Sequence, residues 1–239
     1  MNYLVYPTEK MKLTQDHTEG NHNNHSAGSP KDYPFDECCG DTGRSAFLCP
    51  CDEMKIVKIY TAGVNTVWMT STAPVVMPCG STYVTIMVEH PENEDLKKLS
   101  VGQIFRRGEQ MFREGKDGAT GNHFHISVGT GHMKESGWRK NSLGAWVLTV
   151  TGKPLTAAEA FFTDSTTVIN DKNYSFTEKP KEETKMAIPD NTPDRYAAAA
   201  VAWAIQRQIL QGDDKGDQKL HTPITRQDVV VMLHRAIGK

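Results

Sequence analysis

The chain has 239 residues, of which 38% are apolar, and a formal net charge of -2 at pH 7. The balance of 27 basic and 29 acidic residues gives no overall field that attracts nucleic acid. No stretch has the roughly 20 consecutive apolar residues that cross a bilayer, so neither nucleic acid nor membrane is an expected partner. The length fits one medium-sized domain followed by a small one.

The first residues and the cysteines indicate where the chain folds. "MNYLVYPTEKMKLTQ" lacks the basic start, apolar run and cleavage site of a signal peptide, so we expect synthesis in a reducing cytoplasm. The five cysteines are odd in number, and the pairs Cys38-Cys39 and Cys49-x-Cys51 are too close for ordinary disulfides. Reduced thiols are the expected state, and a second zinc site is the alternative.

The elements of the first domain change in character along the chain. Residues 1 to 48 have the Gly, Asn, His, Asp and Pro content of loops. From Met54 onward, alternating apolar residues predict strands in "MKIVKIYTAGVNTVWMTS", "STYVTIMVEH", "NHFHISVG" and "GAWVLTVTG". The regularly spaced glycines of "DLKKLSVGQIFRRGEQMFREG" favour tight hairpins, and "TAAEAFF" predicts a helical turn capped by Thr156. The fold class is therefore mainly β, an antiparallel sheet with long loops.

The C-terminal part has the pattern of a small all-α module. "NYSFTEKPKEETKMAIPDNTP" is charged and contains prolines, as linkers do. "DNTPDRYAAAAVAWAIQRQILQG" predicts a helix capped by Asn191 or Thr192, and "TRQDVVVMLHRAIGK" predicts a second helix capped by Thr225. The predicted organisation is a domain over 1–168, a linker over 169–190 and a module over 191–239. About 50 residues are marginal for independent stability, so we expect the module to dock or self-associate.

The stretch "GNHFHISVG" places two histidines one residue apart in a predicted strand. His123 and His125 then face the same side, whereas Phe124 faces the opposite side and can anchor the strand in the core. Two such imidazoles can both bind a metal, or one can bind while the other moves a proton. A pair of surface histidines is the alternative.

Two further regions supply residue types that bind zinc. "NHNNHSAGSPKDYPFDE" contains His22, His25, Asp32 and Asp36, and a simple polar loop is the other interpretation. His90 ends the apolar strand "YVTIMVEH". A histidine at the end of a strand is usually only a surface residue, but here it could act on a metal-bound water.

At this point the sequence resembles a known family, the lysostaphin/LytM-type zinc endopeptidases of peptidoglycan. In that family a strand ending in His is followed by a ladder of glycines and then by His-x-His, and "FLCPCDEMKIVKIY" resembles the strand that follows its ligand aspartate. The similarity spans about residues 14 to 130 and is more specific than His-x-His alone. The matching residues are His90, Val101, Gly102, Gly108, Gly115, Gly121, His123, Phe124 and His125.

The resemblance implies a role for each matching residue. Asp36 and His125 become zinc ligands, and His90 and His123 become the histidines that activate water and stabilise the transition state. The family has its third ligand, a histidine, only a few residues before the aspartate, a position that Asp32 occupies here. We take His25 as the third ligand, with His22 and then Asp32 as alternatives. Three protein ligands leave a zinc ion with an open position for water.

"AVAWAIQRQILQGDDKGDQKLHTPITRQDVVVMLHRAI" resembles a single S-layer homology motif. The resemblance implies attachment to cell-wall polysaccharide through Trp203, Thr225 and Arg226, with Arg226 a candidate for an anionic sugar substituent. Trp203 is expected in the core of the helical module. These motifs normally act in threes, so a single motif predicts either self-association, for example as a trimer, or weak binding. The matching residues are Trp203, Ile209, Gly212, Pro223, Ile224, Thr225, Arg226 and Asp228.

Together these features predict an endolysin-like zinc peptidase that hydrolyses peptide bonds of peptidoglycan stem peptides or cross-links. It would be made without a signal peptide and reach the cell wall after lysis. A non-catalytic wall-binding protein on a degenerate peptidase scaffold is the main alternative. An intracellular metalloenzyme of another kind, such as an amidase acting on small peptides, is a third. The "NHNNHSAGSPKDYPFDE" loop distinguishes these hypotheses, because catalysis fails if none of its side chains completes the metal site.

Overall fold

The computed structural model describes residues 1–38, 44–164, 167–169, 175–181, 191–212, 218–221 and 226–237. The chain divides into two compact units, Met1–Pro180 and Lys181–Lys239. No helix of the described ranges is both long and apolar enough to cross a membrane.

The first unit consists mainly of short strands. Its three helices are α1 His22–Ala27, α2 Asn93–Leu96 and α3 Ala157–Ala160. Its strands are β1 Lys10–Gln15, β2 Phe35–Cys38, β3 Ala46–Leu48, β4 Glu53–Tyr60, β5 Thr66–Ser71, β6 Val75–Met77, β7 Gly80–Thr82, β8 Val84–Glu89, β9 Ile104–Arg106, β10 Gln110–Arg113, β11 Phe124–Thr130, β12 Met133–Lys140, β13 Trp146–Val150, β14 Pro154–Leu155, β15 Phe162–Thr163, β16 Val168–Ile169 and β17 Thr177–Glu178.

A nine-stranded sheet forms the centre of this unit, in the order β16-β1-β2-β11-β8-β5-β4-β9, with β14 also paired to β11. All of these pairs are antiparallel except β1 with β16. Four two-stranded sheets surround it: β3 with β10, β12 with β13, β15 with β17, and β6 with β7. The prediction of a mainly β, antiparallel fold is confirmed.

The two faces of the central sheet differ because successive side chains of a strand alternate between them. One face carries the main core, where Phe124 is fully buried and its ring lies 5.6 Å from that of Phe47 and 5.8 Å from that of Phe112. The predicted role of Phe124 as a core anchor is confirmed. The other face carries a smaller apolar cluster of Trp68, Met87 and Leu148, and next to it the polar residues of the candidate site.

The prediction that residues 1 to 48 form loops is wrong for much of that segment. β1 and β2 lie inside the central sheet, where β2 pairs with both β1 and β11. A fully paired central strand is stabilised by partners distant in sequence, and β11 begins 86 positions after Cys38, at Phe124. Local composition therefore underestimated the order of this segment.

The shorter elements agree better with local signals. Thr156 caps α3 through a capping box: its hydroxyl oxygen accepts from the Glu159 backbone N–H at 3.4 Å, and the Glu159 carboxylate accepts from the Thr156 N–H at 2.9 Å. The glycine-rich segment after His90 forms α2 and then β9 and β10, so it is not helical throughout. The capped helical turn is confirmed. The tight hairpins expected in the glycine-rich segment are not seen among the described residues, because β9 pairs with β4 and β10 pairs with β3, and the four-residue α2 was not expected.

The expected linker over 169–190 falls partly outside the described residues, which omit 170–174 and 182–190. Within it, β17 pairs with β15, and the first unit extends to Pro180. Ordered structure of the first unit thus continues past the expected boundary at residue 168.

The second unit contains α4 Ala198–Gln206 and α5 Arg226–Ile237. The first helix begins several residues later than the expected caps Asn191 and Thr192, at an N-cap of Ala197. Trp203 lies on α4 with 53% of its surface exposed, so the expectation that it packs in a core is wrong. The Arg207 guanidinium instead lies 5.9 Å from the centre of the Trp203 ring.

Candidate metal centre

A row of polar side chains crosses one face of the central sheet. His125 of β11 lies directly opposite Asp36 of β2 on one side and Glu89 of β8 on the other. Glu89 in turn lies opposite Thr66 of β5. Residues directly opposite one another in antiparallel strands share a face, so the register brings these residues together.

Three of these donors lie close enough to hold one metal ion. One ligand atom from each of His22, Asp36 and His125 lies within 4.8 Å of the others. The Asp36 Oδ1 atom is 3.1 Å from His22 Nε2 and 3.1 Å from His125 Nδ1. In a tetrahedral site with bonds of about 2.1 Å, ligand atoms lie roughly 3.4 Å apart, so both distances to Asp36 Oδ1 are slightly short and a small outward shift of the side chains would accommodate a zinc ion.

The tautomer of His22 also fits a bound cation. Its Nδ1–H donates to the Asp16 carbonyl oxygen at 3.0 Å, which leaves a neutral His22 with a lone pair on Nε2. That lone pair faces the carboxylate of Asp36, another acceptor. Two acceptors at this distance need a cation between them, either a proton or a metal ion. Donation of the second ring nitrogen to a carbonyl is also the usual support of a metal-binding histidine.

The charges of the cluster depend strongly on one another. Burial by itself raises the pKa of Asp36, but hydrogen bonds from His125 and His22 outweigh burial and hold this pKa well below its usual range. Burial by itself lowers the pKa of His125, but the hydrogen bond to Asp36 and the charges of Glu89, Asp36 and Asp32 raise it to about 9. Without a metal, the centre is thus a buried imidazolium beside a carboxylate.

Of the three alternatives for the third ligand, His22 groups with Asp36 and His125, whereas His25, the residue preferred from the sequence, is not a member of this group. The His25 Nδ1–H donates to Asp32 Oδ1 at 2.9 Å. Asp32 is fully buried and also accepts from the Ser127 hydroxyl and the Leu148 backbone N–H, each at 2.9 Å. Both Asp32 oxygens are therefore engaged, and this residue orients His25 at the edge of the cluster.

The helix α1 explains why His22, and not His25, groups with Asp36 and His125. His22 and His25 are three residues apart in the helix, so both rings face the same side and compete for one position. The helix places His22, 4% exposed, against Asp36, and the more exposed His25 beside it. Sequence spacing alone could not select between His22 and His25. A loop connects α1 to β2, and the sequence does not determine the path of that loop.

His90 lies beside the cluster and is ready to accept a proton. Its Nδ1–H donates to the Asp117 carbonyl oxygen at 2.6 Å, which leaves the Nε2 lone pair free in the neutral ring. Burial lowers the pKa of His90, and the neighbouring His123 adds to this effect. His90 directly follows β8 and has a φ of 64°, a value uncommon outside glycine that turns its side chain out of the strand direction.

His123 lies between His90 and Asp36. Its ring centre is 4.5 Å from that of His90, and its Nε2 is 3.8 Å from Asp36 Oδ2. Its Nδ1–H donates to the Gly121 carbonyl oxygen at 3.0 Å. Both histidines of "GNHFHISVG" thus face Asp36, and His125 is the one within direct contact of it.

Gly115 links the backbones of the two proton-handling candidates. Its N–H donates to the His90 carbonyl at 2.7 Å, and its own carbonyl accepts from the His123 N–H at 3.1 Å. A Cβ added at Gly115 would lie 2.9 Å from the His90 carbonyl oxygen and 3.0 Å from backbone atoms of Glu92. This glycine of the ladder is therefore required for a close approach of two chains.

A cleft of about 480 Å³ opens beside the centre. Its lining includes polar side chains of the centre and three aromatic rings. Sequence reasoning missed Glu89 and the cleft aromatics, because no local pattern distinguishes them from ordinary strand residues. The lining residues are His25, Tyr60, Gly63, Val64, Glu89, His125, Trp138 and Trp146.

The residues assigned to wall binding lie in the second unit. Trp203 is on α4, Arg226 is the first residue of α5, and Thr225 lies outside the described residues. Among the described cysteines, Cys49 and Cys51 are buried free thiols, and the cluster at Asp36 includes no cysteine. Cys39 lies outside the described residues.

No protein-family model matches the chain, and no curated protein matches its sequence. Among solved structures, the chain is similar to a zinc-containing peptidase from Vibrio cholerae, with 14% sequence identity and a TM-score of 0.34. The match covers 54% of this chain and 36% of that chain. So distant a similarity identifies no family, and function has to be argued from the geometry of the site.

Proposed function

We propose that this protein is a zinc metallopeptidase that hydrolyses peptide bonds in peptidoglycan stem peptides or cross-links. The observation that carries the proposal is the buried cluster of His22, Asp36 and His125, with two further imidazoles, His90 and His123, beside it. Three ligands suit a catalytic zinc site, which keeps a position open for water or substrate. Structural zinc sites use four protein ligands instead.

Each residue has a distinct part in this proposal. His22, Asp36 and His125 would hold the ion, which supplies Lewis-acid polarisation of a peptide carbonyl and makes water acidic enough to act near neutral pH. His90, neutral and with a free Nε2, accepts the proton of the attacking water. His123 lies between His90 and Asp36, where its ring, once it carries a second proton on Nε2, can donate to the developing oxyanion or to the leaving amine.

The peptidoglycan substrate and the wall location extend this proposal beyond the site itself. They are supported by the order of His90, the glycine ladder and His-x-His, and by the motif-like pattern around Trp203, Thr225 and Arg226. In this proposal the second unit holds the enzyme on wall polysaccharide, and the protein acts as an endolysin after release from the cell that makes it.

A non-catalytic wall-binding protein is the competing function. A degenerate scaffold would lack a ligand or a proton-handling residue, whereas here all five side chains lie in one place. The site geometry therefore favours catalysis over binding alone.

Zinc content and wall digestion test the proposal together. Purified Gram-positive cell walls are treated with the zinc-loaded wild type and with His123→Ala, and the released peptides are identified by mass spectrometry. We expect one zinc ion per chain in both proteins, new amino and carboxyl termini only with the wild type, and a loss of about 10²- to 10⁴-fold in rate for His123→Ala. A zinc-loaded wild type that releases no peptide product would overturn the enzymatic function.

A further inference from the structure

The cleft beside the metal centre has an unusual combination of linings. Its inner end shares His125 with the cluster, and the half-buried Glu89 lies directly opposite His125 in the sheet. Three aromatic residues, Tyr60, Trp138 and Trp146, also line the cleft. The cleft therefore adjoins the metal centre through His125.

Glu89 brings a negative charge to the cleft. Among the described residues, no ion pair or hydrogen bond engages its carboxylate, although Asp36 and Asp32 on the same face are both engaged by histidines. A half-buried carboxylate without a partner is costly, so it favours a cationic occupant.

The aromatic wall favours the same kind of occupant. The Trp138 ring lies 5.1 Å from that of Tyr60 and 5.2 Å from that of Trp146, so the three rings form a continuous surface, and Trp146 is 47% exposed. Ring faces attract ammonium groups. The chain itself provides an example, since the Lys58 ammonium lies 4.3 Å from the centre of the Trp68 ring and 5.2 Å from that of Trp138.

The chain's own lysines do not line the cleft. Lys58 is also bound to the Ser136 carbonyl, and Lys140 lies 5.5 Å from the Trp146 ring, but neither is among the lining residues. A cation inside the cleft would therefore have to come from a bound molecule and not from Lys58 or Lys140.

We propose that Glu89, Tyr60, Trp138 and Trp146 form a subsite for a primary ammonium group carried by the substrate close to the scissile bond. This inference rests on the proposed function and specifies its substrate class: peptides with a free amine, such as the side chain of a diamino acid. The carboxylate pairs with the ammonium, and the rings shield the pair from water and contribute cation–π attraction. A glycan ring stacked on the tryptophans is the competing occupant.

Binding is measured by calorimetry with the full-length, zinc-loaded His123→Ala protein, which prevents turnover. The probes are the peptide Ala-D-Glu-Lys-D-Ala, its Nε-acetyl-lysine form and the peptidoglycan disaccharide. We expect the free-amine peptide to bind about tenfold more tightly than the acetylated peptide. Adding Glu89→Gln, which keeps the shape and removes the charge, abolishes this preference. Adding Glu94→Gln, on an exposed residue paired with Lys97, preserves it.

Trp146→Ala provides a second variant at a half-exposed position, and it should weaken only the free-amine peptide. Equal binding of the two peptides, no measurable binding of either, or competition by the disaccharide alone would each overturn the subsite. Failure of the proposed function would give a different result from failure of the subsite. If the wild type leaves walls intact but the preference for the free amine persists, the peptidase function is wrong and the subsite is supported. If the walls are digested but the free-amine peptide is not preferred, the subsite is wrong and the peptidase function is supported.

Discussion

At the scale of single residues, the chemistry of the centre depends on which ring nitrogen of each histidine carries the proton. His22, His90 and His123 each donate Nδ1–H to a backbone carbonyl, of Asp16, Asp117 and Gly121 respectively. Each Nε2 is then the ring nitrogen that can bind a metal or exchange a proton, and that of His22 lies against Asp36. His125 differs, because its Nδ1 faces Asp36 and its Nε2 is buried without a hydrogen-bond partner.

The choice of third ligand can be tested by a matched pair of substitutions in α1. We expect His22→Ala to weaken zinc binding by at least about 100-fold, because it removes a direct ligand. His25→Ala should retain one zinc ion per chain, since its ring is held by Asp32 outside the cluster. Zinc content after dialysis against a chelator gives the measurement. If only His25→Ala loses zinc, His25 is the third ligand, as expected from the sequence.

Zinc affinity should depend on pH through His125. Its pKa of about 9 in the metal-free protein means that a proton has to leave before Nδ1 can bind zinc below that pH. The zinc Kd should therefore increase about tenfold for each unit of pH decrease between pH 8 and pH 6. Competition with a chromogenic chelator, corrected for the chelator's own titration, measures this slope. A Kd independent of pH would contradict the protonated state of His125.

The stability of the metal-free protein should change in the opposite direction. Because the folded pKa of His125 is raised, its stabilising ion pair with Asp36 is fully present below the ordinary value of 6.5 and is lost as pH rises through about 9. Urea unfolding of the chelator-treated protein at pH 7 and pH 10 measures this difference. His125→Gln should remove most of it.

At the scale of elements, the site depends on the strand order β2-β11-β8, which aligns Asp36, His125 and Glu89 in one row. A shift of one residue in either pairing would turn His125 into the core and Phe124 toward the site. Phe124, fully buried against Phe47 and Phe112, opposes such a shift. The same register thus determines both the core packing and the geometry of the candidate metal centre.

The glycine ladder gives a matched test at this scale. Gly115→Ala should destabilise the protein by about 1–3 kcal/mol and reduce activity, because its Cβ would meet backbone atoms of His90 and Glu92. Gly121→Ala is the control, since nothing lies within 4 Å of its added Cβ. Urea unfolding and wall digestion are compared for both variants. Equal effects of the two substitutions would argue against the close approach at Gly115.

At the scale of the whole molecule, the two units have different surfaces. The first unit buries a large aromatic and aliphatic core, whereas α4 has no buried residue and exposes Trp203. We expect a protein ending at residue 180 to keep its zinc and to hydrolyse soluble peptides within about twofold of the full-length rate. Its retention on cell walls in sedimentation assays should fall at least about tenfold.

Trp203→Ala in the full-length protein controls for the change in length. It should reduce wall retention without affecting zinc content. A shortened protein that loses zinc, or one that sediments with walls as well as the full chain does, would contradict this division of roles.

The sequence by itself determined the residue types, their order and the strand periodicity. Alternation predicted β4, β5, β8 and β11, and the spacing of His123 and His125 placed both on one face, because these signals are local. The tertiary structure decided what depends on distant partners. β2 pairs with β1 and with the distant β11, and α1 places His22 rather than His25 against Asp36. The cleft of Glu89 and its three aromatic rings exists only where β4, β8 and the β12–β13 hairpin meet, since a surface built from separate strands leaves no pattern along the chain.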